Sequence, residues 1–282
     1  LNGVQLSNGT QPDVFADDTG GLVWNMTGGQ LVIEESILQL GEARDGGAID
    51  NQGTASISQT MIAFNTASSR GGGIDNRGSL TIQGSTLAGN SAQKSAAIHN
   101  LNGSVILANS TISENTAANS GGAIGNENSG VVPQLAIVQS TIYANTASGG
   151  DGEYAWGGID ATSDESVTVR NSIIAGNTGD ADLNGVFVSE GFNLVGDVGS
   201  ASGFVDAVNG DQVGTSGAYR WHIKWDIGHC HCAGVAEIAY KRIHAATHGL
   251  WIYLYCLVIH PISLVGQCVQ QSGVEHGRQP LG

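Results

Sequence analysis

From Gln30 onward, apolar and polar residues alternate in short stretches that keep restarting in the same order. Gln30-Leu-Val-Ile-Glu-Glu-Ser-Ile-Leu returns as Thr54-Ala-Ser-Ile-Ser-Gln-Thr-Met-Ile, Ser79-Leu-Thr-Ile-Gln-Gly-Ser-Thr-Leu, Ser104-Val-Ile-Leu-Ala-Asn-Ser-Thr-Ile, Gln134-Leu-Ala-Ile-Val-Gln-Ser-Thr-Ile and Ser166-Val-Thr-Val-Arg-Asn-Ser-Ile-Ile. The hydroxyl position of each unit, Ser36, Thr60, Ser85, Ser110, Ser140 and Ser172, recurs at spacings of 24, 25, 25, 30 and 32 residues. Period-two alternation rich in β-branched residues argues for strands rather than helices. Each unit reads as three short strands, the third following a glycine cluster such as Gly71-Gly-Gly-Ile74.

Two apolar columns emerge when the units are superposed: Ile33, Ile57, Ile82, Leu107, Ile137 and Val169, and Ile49, Ile74, Ile98, Ile124 and Ile159. One unit cannot bury such a face alone, whereas coils stacked about 4.8 Å apart bury it continuously. The pattern therefore predicts a solenoid of parallel strands. Asn65, Asn90, Asn115, Asn145 and Asn177 fall where the second strand must turn, and side chains stacked there can bond from coil to coil. The glycines at 46–47, 71–73, 121–122 and 157–158 are expected at bends of unusual φ.

Composition supports this reading and adds a boundary. The 282 residues include 43 Gly and only 12% charged residues, with 10 Lys and Arg against 25 Asp and Glu. Residues 1–217 hold five basic and 22 acidic side chains and no cysteine, whereas 218–282 hold all four cysteines and seven of the eight histidines. The net charge of −15 repels phosphate backbones, so nucleic acid is excluded as a partner.

Asn109-Ser-Thr-Ile-Ser-Glu-Asn-Thr-Ala117 with Gly121-Gly-Ala-Ile124, and Gly71-Gly-Gly-Ile-Asp-Asn-Arg-Gly78, resemble the repeats of bacterial surface proteins with a right-handed parallel β-helix. Those proteins share the pectin-lyase-like fold and the pattern of polymorphic outer-membrane proteins. The likeness covers about residues 14–217, and Asn171–Asn177, Glu190–Asp197 and Gly210–Thr215 resemble the closing coils. It implies an all-β, right-handed parallel β-helix that is secreted or held at the cell surface. An export signal is expected outside this sequence. Residues 1–13 are expected to help cap one end of the helix.

The tail after residue 217 departs from that family, and four readings stand open. It is an out-of-frame or non-native continuation, a small capping element, a metal site built from His222, His229-Cys-His-Cys232, Cys256 and His260, or a membrane anchor. The adjacent His and Cys lack the spacing of a tetrahedral zinc pair. The apolar stretch Leu250–Ile259 is interrupted by His260-Pro261 and is shorter than the ~20 residues of a span, so no transmembrane segment is expected.

Candidate chemistry sits one residue beyond the second apolar column. Alternation turns Asp50, Asp75, His99, Gly125 and Asp160 outward on successive coils, as solvated positions. Asp75 and His99, with Arg70 and Lys94 just upstream, form a mixed-charge candidate catalytic group, and Asp50 with Asp75 is a candidate Ca²⁺ pair. The insertion at 151–165 places Asp151, Glu153, Tyr154, Trp156 and Asp160 together, a combination suited to glycan binding through ring stacking and hydroxyl-accepting carboxylates. The expected function is a non-catalytic stalk or adhesin contacting glycan, with Ca²⁺ as the one conceivable cofactor. The alternative is a pectin-lyase-like polysaccharide lyase or a related carbohydrate-active enzyme acting on acidic polysaccharide.

Overall fold

A computed structural model of the chain describes residues 1–9, 19–150, 155–161 and 167–215, and the strands Asp226–Cys230, Ile238–Ile243 and Ile252–Leu254. By its internal contacts the chain divides into Leu1–Trp221 and His222–Gly282. The second unit contributes an antiparallel sheet with Ile238–Ile243 between the other two strands. The tail's cysteine and histidine candidates lie outside the described side chains. Among the described residues no helix is long and apolar enough to cross a membrane.

The first unit is a parallel β-helix. Among the described residues it comprises four sheets: A, seven strands from Gln30–Glu34 to Phe187–Ser189; B, nine from Gln5–Ser7 to Gln212–Val213; C, five from Glu42–Asp45 to Thr146–Ala147; and D, seven from Val23–Asn25 to Ala181–Asn184. A full coil visits them in the order A, B, C, D, as in Thr54–Ser58, Met61–Ala63, Thr66–Arg70 and Ile74–Asn76. Both apolar columns are in register across every step, Ile33 to Val169 in sheet A and Ile49 to Ile159 in sheet D. Sheet B adds Leu38, Ile62, Leu87, Ile112, Ile142 and Ile174, and together these side chains fill the lumen. Each fully buried aliphatic contributes about 1.5–3 kcal/mol of transfer free energy.

Four strands per coil rather than three is a correction to the sequence expectation. Sheet C turns only Ala43, Ala67, Ala92, Ala117 and Ala147 inward, and some of its strands are as short as Ser91–Ala92. With no large apolar residue, it leaves no alternation to detect.

Three polar ladders run along the coils. Each Asn of the Asn65 column gives its backbone N–H and its Nδ2 to the Oδ1 of the next, from Asn65 through Asn90, Asn115 and Asn145 to Asn177, at 2.8–3.1 Å. The hydroxyl column does likewise: each backbone N–H donates to the next coil's oxygen from Ser36 to Ser172, while hydroxyls such as that of Ser85 donate to the carbonyl two residues back. A second amide ladder links Asn25, Asn51, Asn76, Asn100 and Asn126, each Nδ2 2.7 Å from the next Oδ1.

Two ladders end on carboxylates. Asn177 donates N–H and Nδ2 to Asp182 Oδ1 at 2.8 and 2.7 Å, and Asp197 N–H donates to Oδ2 at 2.7 Å. Burial pushes the Asp182 carboxyl up to about 6, opposed by those N–H groups. The hydroxyl column passes through Asn193 to the buried Asp211. A carboxylate accepts without needing to donate, which suits it to the last rung.

Corners between sheets use left-handed residues with φ of 48–70°, including Glu35, Gln59, Phe64, Ser95 and Ala144 as well as Gly46, Gly71 and Gly121. At Gly71, between sheets C and D, a Cβ would collide with the Ile74 carbonyl. Gly157 and Gly158 differ from expectation. They have no positive φ and lie within the strand Trp156–Ala161, where Gly158 is required because a Cβ would collide with the Asp182 carbonyl of the next coil.

Asn90 is fully buried, accepts from Asn65 and donates to Asn115 and to the Ile62 carbonyl. Asn90→Ala strands several of these groups and is expected to cost about 3 kcal/mol in urea denaturation. Ala144 has φ 56° at a corner where the next coil has Gly176 and the coil two before has Gly89. Ala144→Gly is expected to raise stability by about 0.5–1 kcal/mol, seen as a higher thermal midpoint.

Candidate functional site

The sharp bend at Gly46, Gly71, Ser95 and Gly121 folds the end of each sheet C strand toward the outer face of sheet D. Asp45, Arg70 and Lys94 are in register along one wall. Asp50, Asp75, His99, Gly125 and Asp160 are in register along the other. The outward direction of the second column is as alternation requires, but its solvation is not. Asp50, Asp75 and His99 are 0% exposed and Asp160 is 7% exposed. Alternation fixes which side of a strand a residue takes and says nothing of what the next corner lays over it.

The charges form one connected group across four coils. Asp75 Oδ1 lies 2.6 Å from His99 Nδ1, and His99 Nε2 lies 3.4 Å from Glu127 Oε2, an ion-pair distance without hydrogen-bond geometry. Arg77 reaches Asp75 at 2.7 Å, Asp50 at 3.6 Å and Asp45 at 3.8 Å. Arg70 grips Asp45 through Nε and Nη2 at 3.3 and 3.2 Å, and Arg44 stands 4.0 Å from the same carboxylate. The arginine side chains are about a quarter exposed at Arg70 and Arg77 and cover the carboxylates beneath.

The environment sets the protonation of each group. Burial drives the Asp50 carboxyl upward, and the charge of Asp75 adds to this. Burial would raise Asp45 as well, but the Arg70 contact outweighs it and the carboxyl falls below its usual range. For His99, burial favours the neutral ring, yet contacts with Asp75 and Glu127 outweigh burial and raise its pKa. His99 in turn lowers Glu127.

Of the four candidate catalytic residues, Asp75 and His99 touch each other, while Arg70 and Lys94 pair as neighbouring bridge residues on the facing wall. His99 directs both ring nitrogens at carboxylates, and neither it nor Asp75 has accessible surface, so a substrate cannot reach these two while the group is closed. Arg77 supplies the positive charge between Asp50 and Asp75 where Ca²⁺ was anticipated. Among the described residues no group of three or more His, Cys, Asp or Glu is disposed to hold a metal ion. These two carboxylates are thus guanidinium partners here.

The loop candidates are divided. Asp151, Glu153 and Tyr154 lie outside the described residues. Trp156 is half-buried, with its ring beside Gly199. Asp160 accepts a hydrogen bond from Asn184 Nδ2 at 2.8 Å, and burial raises its pKa. Sequence reasoning missed Asp45, Arg77 and Glu127. The signal was available for Arg77, which follows Asp75 by two residues on the same outer face. Glu127 was hidden because its coil has Gly125 in place of a charged residue.

No family model, curated protein or solved structure matches the chain.

Arg77 neutralises three buried carboxylates, whereas Arg44 is more exposed and reaches one at long range. Arg77→Met is expected to cost about 3 kcal/mol in urea denaturation, with Arg44→Met changing stability by about 0.5 kcal/mol or less.

Proposed function

We propose that the chain is a non-catalytic β-helix rod of a secreted or cell-surface protein, a stalk or adhesin of the pectin-lyase-like repeat kind that contacts glycan. The observation that carries this reading is the closure of the mixed-charge group. Its acid–base pair is fully buried and matched internally, so the residues best suited to chemistry serve instead to join coils. Every other recurrent residue serves coil geometry: aliphatics in the lumen, Ser, Thr and Asn in ladders, glycine at corners.

Glycan contact is assigned to the insertion around Trp156. The half-buried indole offers an anchored apolar surface, and the stretch 151–165 of the sequence to which it belongs carries five carboxylates. A β-helix whose residues 1–217 carry 22 acidic and five basic side chains repels its neighbours, as a surface projection requires.

One observation favours the second reading, a polysaccharide lyase. Arg70 and Lys94 stand side by side on the groove wall, both partly exposed, where a base is needed beside a uronate carboxylate. The two readings separate in one experiment on the full chain. Pectate, alginate and glycosaminoglycans, with and without Ca²⁺, are expected to yield no ultraviolet-absorbing unsaturated product. At least one glycan on an array is expected to retain the chain, with Trp156→Ala weakening retention about tenfold. An unsaturated product that disappears in Arg70→Ala or Lys94→Ala replaces the adhesin reading with the lyase. Retention untouched by Trp156→Ala removes the assigned glycan surface.

A further inference from the structure

His99 adds a charged link between coils that the backbone and the amide ladders already join. Asp75 lies one coil before it, on the strand Ile74–Asn76, and Glu127 one coil after it, on Ile124–Glu127, with Nδ1 and Nε2 directed to the two in turn. A neutral imidazole has one N–H, so it can satisfy only one carboxylate and must turn a lone pair on the other. Water cannot reach the ring to relieve that repulsion, because His99 is fully buried and Nε2 has no other partner. Only the imidazolium matches both neighbours.

We propose that His99 is a proton-dependent clasp, which when charged ties the Asp75 coil to the Glu127 coil and when neutral lets Glu127 go. Glu127 is the releasing side because it is partly exposed and held at 3.4 Å, whereas Asp75 is buried and also fixed by Arg77. The other charges facing the group act in both directions. Arg70 and Lys94, from sheet C, favour ionised Glu127 and oppose a charge on His99, and Asp160 lies beyond Glu127 on the following coil. The two carboxylates in direct contact dominate these more distant groups.

The direction of the effect follows. The folded chain holds the His99 proton to higher pH than the unfolded chain does, whose histidine titrates near ~6.5. The contribution is complete below that value and is lost as pH rises through the folded titration, at about a tenfold drop in the folding equilibrium per pH unit. The helix is therefore clasped at low pH and loosens at this corner as pH rises through the folded titration of His99.

The test uses the full chain. NMR titration of the histidine ring signals, with His99 assigned by its disappearance in H99Q, is expected to place His99 above ~6.5, and E127Q is expected to lower it. Urea denaturation across the same pH range is expected to show a loss of stability with rising pH in the parent chain that is smaller in H99Q. A His99 that titrates at or below the ordinary value, or parent and H99Q profiles that run parallel, overturns the clasp. If H99Q does not fold, E127Q decides: histidine titrations of which none moves with that change overturn the proposal equally.

Discussion

A coil that closes on itself in about 25 residues must turn its backbone several times, and each turn aims amide groups into a lumen too narrow for water. Unpaired, each buried group costs about 1–3 kcal/mol. The remaining architecture is arranged around that constraint. Side-chain oxygens of Ser36 to Ser172 and Asn65 to Asn177 stand at the corners because they meet the N–H groups of the preceding coil. Aliphatic columns then fill what space is left, and register follows, since slipping one residue would break ladders and core together.

The outer groove obeys the same economy with charges. Asp45, Asp50 and Asp75 are buried by a bend that their glycine neighbours make possible, and three arginines on nearby strands repay part of the desolvation. Buried ion pairs contribute little to net stability, since desolvation consumes most of the Coulomb gain. What they do supply is selectivity of arrangement. Arg77 contacts carboxylates from two coils, and His99 contacts carboxylates one coil below and one above, so only the correct stacking order leaves no charge unpaired.

Much of this was legible in the amino-acid sequence, for identifiable reasons. Ile33 to Val169 and the Asn65 column repeat at a nearly constant interval, and constant intervals survive without coordinates. The second amide ladder was equally regular, as Ile-x-Asn at 49–51, 74–76, 98–100 and 124–126, and went unread because its asparagines sit beside more conspicuous carboxylates. Sheet C escaped because alanine inside a two-residue strand has no signature. The burial of the Asp75 column depends on what the neighbouring corner lays over sheet D, as where Arg77 crosses to Asp45, and no period within one strand carries that information.

The ladders also have a direction. In all three the donor belongs to the earlier coil and the acceptor to the later one, and two finish on Asp182 and Asp211. A coil inserted or deleted in the middle would present the same acceptor below and the same donor above, leaving the sequence of rungs unbroken. The length of such a rod is thus free to change by whole units through duplication or loss of gene segments. Two aspartates close two of the ladders, so whole units can be exchanged ahead of them without disturbing the last rung.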